Sequence, residues 1–153
     1  MSETVWQVSS MTIADLPAVQ RIEDQSPEPW SHRQLAEELA YQGALQLVCR
    51  PVAGGRTVGF LMARLIAGET EILKIATMRE FQRQGVAGSL LTSFIALAKQ
   101  QGVSRFYLEL RAQNRPARAL YEKHAFEVTG RRPNYYTGPK DDALCMAFVA
   151  PLG

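Results

Sequence analysis

Seven consecutive residues, Gln82-Arg83-Gln84-Gly85-Val86-Ala87-Gly88, have the composition that anion binding asks of a backbone. They leave an apolar strand-like run and enter a helix-like one. Two glycines and an alanine let main-chain N–H groups come close to an anion at the positive end of a helix dipole, and Arg83 adds a charged donor. The segment has neither the Gly-Lys-Ser/Thr of a P-loop nor the G-x-G-x-x-G of a dinucleotide site. Taken alone, it reads equally as a glycine-softened helix start that packs closely on a sheet.

A second group follows. From Arg105 to Arg111 the chain alternates, with Phe106, Leu108 and Leu110 on one side and Tyr107, Glu109 and Arg111 on the other. Glu109 is therefore a carboxylate on the polar face of a strand, where pairing with Arg111 or a cross-strand cation is the usual fate. Tyr121 projects from the next helix, where an ordinary core tyrosine keeps its hydroxyl at the rim. Asn114, two residues before Pro116, suits a helix cap. His32 and His124 have no partners at metal-ligand spacing. Cys49 and Cys145 lie in apolar strand-like runs and read as small buried hydrophobes.

The elements that must hold these residues follow from periodicity. Val5 to Ser10 suggests a first strand. Thr12 and Asp15 open a helix carrying Leu16, Val19 and Ile22, which Ser26-Pro27-Glu28-Pro29 breaks. Ser31 and Gln34 form a capping-box pattern for a second helix with Leu35 and Leu39. Strands are predicted over 45–50 and 57–67 around the turn Ala53-Gly54-Gly55-Arg56, and again over 69–78. A helix runs from about Gly85 to Gln101 and ends at Gly102; another carries Ala119 and Leu120 to about His124. Strands over 127–130 and 143–150 close the chain, with Asn134 to Pro139 as the loop between them. The order β-α-α-β-β-β-α-β-α-β-β predicts an α/β fold: a mixed, mostly antiparallel sheet with helices on both faces.

Composition sets the outer bounds. The chain of 153 residues is 46% hydrophobic and 21% charged, as in soluble globular domains, and its length suits one domain spanning 1–153. A net charge of +2 is too mild for a dedicated nucleic-acid binder, while a small anion held by local basic residues fits. Met1-Ser2-Glu3-Thr4 lacks the basic start of a signal peptide, and nothing approaches the length of a membrane span, so a cytoplasmic protein is expected.

The pattern Gln-x-x-Gly-x-Ala after a strand resembles the pyrophosphate loop of the GCN5-related N-acetyltransferases, the GNAT superfamily. Leu108-Glu109-Leu110-Arg111-Ala112-Gln113-Asn114 followed by Ala119-Leu120-Tyr121-Glu122-Lys123 is similar to the RimI family, whose members acetylate the N-terminal alanine of a ribosomal protein. Pro29-Trp30-Ser31, Arg131-Arg132, Asn134-Tyr135-Tyr136 and Asp142-Ala143-Leu144 support the likeness, which spans nearly the whole chain. It departs at His124-Ala125-Phe126, where Leu-Gly-Phe is commoner, and at Pro133, which interrupts Arg-Arg-Asn-Tyr-Tyr.

The resemblance implies a GNAT fold, acetyl-CoA as co-substrate and no metal. It implies that Ile75, Ala76 and Thr77 offer backbone groups to the pantetheine arm and acetyl carbonyl. Arg83, Gln84, Gly85, Val86, Ala87 and Gly88 would wrap the pyrophosphate, and Asn114 would contact the cofactor. Glu109 would be the general base and Tyr121 the general acid, with Tyr135 and Tyr136 in a peptide-admitting loop. The implied partner is a protein N-terminus, with a lysine, polyamine or other small amine as the alternative acceptor. A non-catalytic acyl-CoA-binding regulator is a further alternative, which the joint presence of Glu109 and Tyr121 disfavours.

Overall fold

The computed structural model describes residues 5–150; the expectation about Met1 to Thr4 lies outside them. Seven strands form one sheet: β1 (Trp6–Ser10), β2 (Ala44–Pro51), β3 (Gly59–Ile66), β4 (Glu69–Thr77), β5 (Arg105–Arg111), β6 (Glu127–Thr137) and β7 (Lys140–Val149). Their order across the sheet is β1-β2-β3-β4-β5-β7-β6. The β4–β5 pair is parallel and the other adjacent pairs are antiparallel, which is the predicted mixed sheet.

Alternation along the strands divides the core in two. Leu47, Leu61 and Ala63 face α3 (Val86–Gln100), where they meet Leu90, Leu91 and Phe94, while Tyr121 of α4 (Arg115–Lys123) and Phe126 join the same cluster. Val48, Phe60 and Met62 face the other way. They meet Leu16, Val19 and Ile22 of α1 (Leu16–Glu23) and Leu35 of α2 (His32–Ala40). Fully burying such a side chain contributes roughly 1.5–3 kcal/mol, so each helix is held mainly by its apolar stripe.

Local signals act where the sequence places them. Ser31 Oγ accepts from the Gln34 N–H at 3.1 Å while Gln34 Oε1 accepts from the Ser31 N–H at 2.8 Å. Thr12 and Asp15 form a second capping box, ahead of a single 3-10 turn rather than α-helix; α1 begins only at Leu16. Asp15 is also buried, and Arg50 neutralises it.

The closing hairpin differs from expectation. Residues 134–137 continue β6 instead of forming a loop, β7 starts at Lys140, and the turn shrinks to Gly138 and Pro139. Turn-forming residues at 133–134 are absorbed by a bulge. Arg132 pairs with Ala143 and Tyr136 with Asp141, so three residues stand opposite one. Asn134 takes a left-handed φ of 56° there, and its N–H donates to Asp142 Oδ1 at 2.8 Å. Asparagine tolerates that conformation better than most residues. Cys145 is the other correction. It is only half-buried, because it pairs with Glu109 on the sheet face that no helix cluster covers.

Helix α4 ends in a Schellman arrangement. The Phe126 N–H donates to the Tyr121 carbonyl at 3.0 Å and the Ala125 N–H to the Glu122 carbonyl at 3.1 Å, and Phe126 packs on the Tyr121 ring at 5.5 Å. This motif holds Tyr121 in place, and it needs a left-handed residue at 125. Ala125 occupies that position at φ 70°, where a Cβ costs about 1–2 kcal/mol. The substitution Ala125→Gly is expected to raise stability by about 1 kcal/mol, seen as a Tm roughly 2–4 °C higher in thermal unfolding.

Candidate active site

Strand β4 sets the geometry. It pairs with β5 over only four positions, from Glu69↔Arg105 to Ile72↔Leu108. At the next residue, Leu73, a bulge against β3 shifts the register, since Met62 pairs with Lys74 but Ala63 with Ile72. Beyond it β4 runs on beside β3 to Thr77, while β5 runs on beside β7 to Arg111. The two strands part, leaving the inner edge of β4 from Leu73 to Thr77 without a strand partner. A half-buried backbone edge with no strand beside it is open to a hydrogen-bonding ligand or water.

On the α3 side of this gap lies a cleft of about 550 Å³. Its floor and near wall are Ile75, Thr77, Phe81 and Gln82; the loop residues Arg83, Gly85, Val86, Ala87 and Gly88 form one end; Asn114, Leu120 and Tyr121 close the far wall. Nine of the residues singled out above therefore meet in one place: Ile75, Thr77, Arg83, Gly85, Val86, Ala87, Gly88, Asn114 and Tyr121. Ala76, Gln84 and Glu109 are not among its lining residues. Ala76 packs toward the α1–α2 cluster, as strand alternation requires. Gln84 turns outward: its Nε2 donates to the Glu80 carbonyl at 3.2 Å and its own carbonyl accepts from Trp6 Nε1 at 2.8 Å.

That last bond ties the loop to β1, and Trp6 stands edge-on to Phe81 with centroids 6.2 Å apart. Nothing local to 82–88 indicates this clamp; a tryptophan in the first strand was its sole trace. Lys123 and His124 also border the cleft, and no local sequence pattern links them to it. His124 Nδ1 lies 3.0 Å from the Leu120 carbonyl and Nε2 lies 3.3 Å from Thr92 Oγ1, so it ties α4 to α3.

The loop suits a diphosphate. Arg83 and Gly85 hold left-handed φ values of 63° and 88°. They turn the backbone so that α3 starts at Val86 with no side-chain cap. The first intrahelical bond runs from the Ser89 N–H to the Gly85 carbonyl, leaving the N–H groups of Val86, Ala87 and Gly88 without helical acceptors. A Cβ built on Gly88 meets nothing within 4 Å, so the space beside that N–H is vacated by the protein itself. Among the described residues no group of three or more His, Cys, Asp or Glu side chains could hold a metal.

Asn114 caps α4, with Oδ1 accepting from the Ala117 N–H at 3.2 Å. Capping and lining of the cleft coexist in this one side chain. Tyr121 is 7% exposed, and burial pushes its phenol well above the ordinary tyrosine range. It therefore keeps its proton at neutral pH, as a proton donor must.

Glu109 lies on the opposite face of the sheet. Its carboxylate meets Arg132 Nη2 at 3.2 Å and the Cys145 thiol at 3.9 Å, with 31% of its side chain exposed. The cross-strand cation expected of a strand glutamate is thus present, on β6. Asp142, on the neighbouring strand, is held below the usual carboxylate range by the Asn134 N–H first and by Arg131 second. Burial, and after it the charge of Glu109, raises the Tyr136 phenol, so Tyr136 stands within electrostatic reach of that carboxylate. The sheet thus carries a protonated phenol on one face and a solvated carboxylate on the other, beside a gap that connects them.

A parted β4–β5 pair with an uncapped, glycine-bearing loop leading into α3 defines a class, the acyl-CoA N-acyltransferases. The comparisons agree: residues 16–126 match the model of the acetyltransferase (GNAT) family. The ribosomal protein bS18-alanine N-acetyltransferase of Escherichia coli K12 is 34% identical over 143 residues, covering 92% of this chain and 95% of that one. The crystal structure of the ribosomal-protein-S18-alanine N-acetyltransferase from Escherichia coli superposes with a TM-score of 0.89 at 31% identity, covering 97% of both chains. The acetyl-CoA complex of Arabidopsis thaliana NAA60 shares the fold at a TM-score of 0.83 and 17% identity, over 95% of this chain and 98% of that one. The chain belongs to the GNAT acetyltransferase family and, within it, to the RimI-type enzymes. It is an enzyme whose acetyl donor is acetyl-CoA.

Two outcomes follow from this geometry. The substitution Gly88→Ala is expected to leave Tm unchanged or raised, by up to about 1 kcal/mol of helix propensity. By filling the cradle, it should weaken acetyl-CoA binding in calorimetry at least about tenfold. For Asp142 the depressed folded pKa sets the sign: its bond to Asn134 contributes fully above the ordinary value of 3.8 and is lost as pH falls through the lower folded value. Amide exchange at Asn134, corrected for intrinsic rates, is expected to stay flat from about pH 7 to 4 and to rise below that.

Proposed function

We propose that residues 1–153 form one N-acetyltransferase domain that transfers acetyl to the α-amine of a protein N-terminus, the preferred acceptor being the N-terminal alanine of ribosomal protein bS18. The observation that carries this reading is the placement of Glu109 and Tyr121 on opposite faces beside the β4–β5 gap. It stands together with 34% identity, over nearly the whole chain, to an enzyme named for that substrate.

Acetyl-CoA supplies the acetyl thioester, and the chain supplies position and protons. The N–H groups of Val86, Ala87 and Gly88, with Arg83, hold the diphosphate, and the free edge of β4 at Ile75, Ala76 and Thr77 receives the pantetheine arm. A backbone N–H of that edge offers a fixed donor to the thioester carbonyl oxygen as negative charge develops on it. Asn114 adds a side-chain contact. From the other face an acceptor amine arrives beside Glu109, which takes its proton directly or through water, since only the neutral amine attacks. An α-amine titrates near 7.7–8.0 against about 10.4 for lysine, so one carboxylate suffices. Tyr121 donates the proton that the departing sulfur needs, and no covalent acetyl-enzyme forms. No helix of the described residues is long and apolar enough to cross a membrane; it is the ribosomal-protein acceptor that puts the proposed site of action in the cytoplasm.

The deciding experiment offers labelled acetyl-CoA to a peptide with the bS18 N-terminus, to the same peptide blocked at its α-amine, and to a panel of small amines. Label is expected on the free α-amine; label on the blocked peptide or the amines alone would reassign the acceptor. Glu109→Gln and Tyr121→Phe are each expected to lower kcat by roughly 10²–10⁴-fold with acetyl-CoA affinity within about twofold of the parent. Full turnover in both variants would remove the assigned base and acid.

A further inference from the structure

The outer mouth of the β4–β5 gap is crossed by a strap. The connection between α1 and α2, residues 24–31, begins above β4, where Glu23 pairs with Lys74 and the Gln25 side chain accepts from the Arg79 N–H at 2.9 Å. It then reaches across β5 to the β6–β7 turn. There Glu28 lies so close to Gly138 that a Cβ on that glycine would stand 2.8 Å from its Oε1. In the order β4-β5-β7-β6, a segment anchored on β4 and touching the β6–β7 turn passes over the place where β4 and β5 diverge.

Arg111, the last residue of β5, fastens the far end of this strap. Nη1 donates to the Pro139 carbonyl at 2.6 Å, while Nη2 donates to the Gly138 carbonyl at 3.1 Å and pairs with Glu28 Oε2 at 3.2 Å. The guanidinium carbon stands 4.3 Å from the centroid of the Tyr136 ring. With its side chain 23% exposed, this cation is sheltered, and its planar fork meets three oxygens while one face lies on an aromatic ring, a pairing that suits guanidinium better than ammonium. Glu109 lies two residues back on the same strand face.

We propose that Arg111 is a positioning residue for the acceptor: it locks the α1–α2 connection to the β6–β7 turn across the outer mouth of the gap and holds Tyr136 beside the Glu109 carboxylate. This rests on the reading of that face as the acceptor side. Arg111 touches neither the acetyl-CoA cleft nor the loop at 83–88, so its loss acts on one substrate only.

The test compares Arg111→Gln, Glu28→Gln and the double variant with the parent enzyme, using the Ala-starting peptide as acceptor. For Arg111→Gln the acceptor KM is expected to rise about tenfold, with kcat and acetyl-CoA affinity within about threefold. Glu28→Gln, at an exposed position, raises KM about threefold. The double variant is no worse than Arg111→Gln alone, because both changes open the same lock. Hydrogen exchange quickens together in residues 24–31 and 136–140 of Arg111→Gln. An unchanged acceptor KM, an equal loss of affinity for both substrates, or additive effects in the double variant would overturn the proposal. If the parent enzyme labels no peptide, the acceptor reading fails instead. The lock is then decided by exchange alone, and quickening confined to one of the two segments refutes it.

Discussion

Strands β4 and β5 pair over four residues and then separate, and the rest of the molecule is arranged around that separation. A continuous sheet would wall off one face from the other with paired backbone. Here the bulge at Leu73 turns β4 away just as β5 turns to follow β7, so a strip of backbone without a strand partner faces a gap. Unpaired backbone polar groups are costly inside a protein. The same groups become an asset when a substrate with amide and carbonyl groups lies against them.

On the inner face the gap is flanked by two helix starts of different kinds. Helix α4 is capped by its own Asn114. Helix α3 has no side-chain cap and begins from a turn that requires left-handed backbone at Arg83 and Gly85. That difference suits the start of α3 to an anion, since its free N–H groups and the helix dipole point the same way. The loop is not held by its own residues alone. Trp6, from the first strand, clamps the Gln84 carbonyl and leans on Phe81, so the cradle is fastened by a residue 78 positions away in the chain.

On the outer face charge does the organising. Glu23 with Lys74, Glu38 with Arg64 and Asp15 with Arg50 pair groups that are buried on their acidic side. Such pairs add little net stability, but removing one member strands a buried charge, and they hold α1 and α2 at defined heights above the sheet. Over β5, β7 and β6, where no helix lies, the long closing hairpin takes that part. Its bulge at 133–135 is pinned by Asp142, and its turn is pinned by Arg111. Glu109 thus sits on an open stretch of sheet whose walls are side chains and one turn.

Local signals made much of this readable from residues alone. Capping boxes, the clean alternation of 105–111, the 3.6-residue stripe of α3 and the glycine-bearing loop each act within a few residues, so the order of strands and helices and the loop that borders the inner cleft are legible. The roles proposed for Glu109 and Tyr121 rest on the resemblance carried by the motif around them. The closing hairpin departs from its turn signals because turn-forming residues can also sit in a bulge, and only the partner strand decides which. Cys145 is half-buried for a similar reason: an apolar run does not say which sheet face lacks a helix. The Trp6 clamp, the Arg132–Glu109 pair and the meeting of Glu28, Arg111 and Gly138 join residues far apart in the chain. No local pattern encodes such contacts, because they arise only when the strand order brings distant segments side by side.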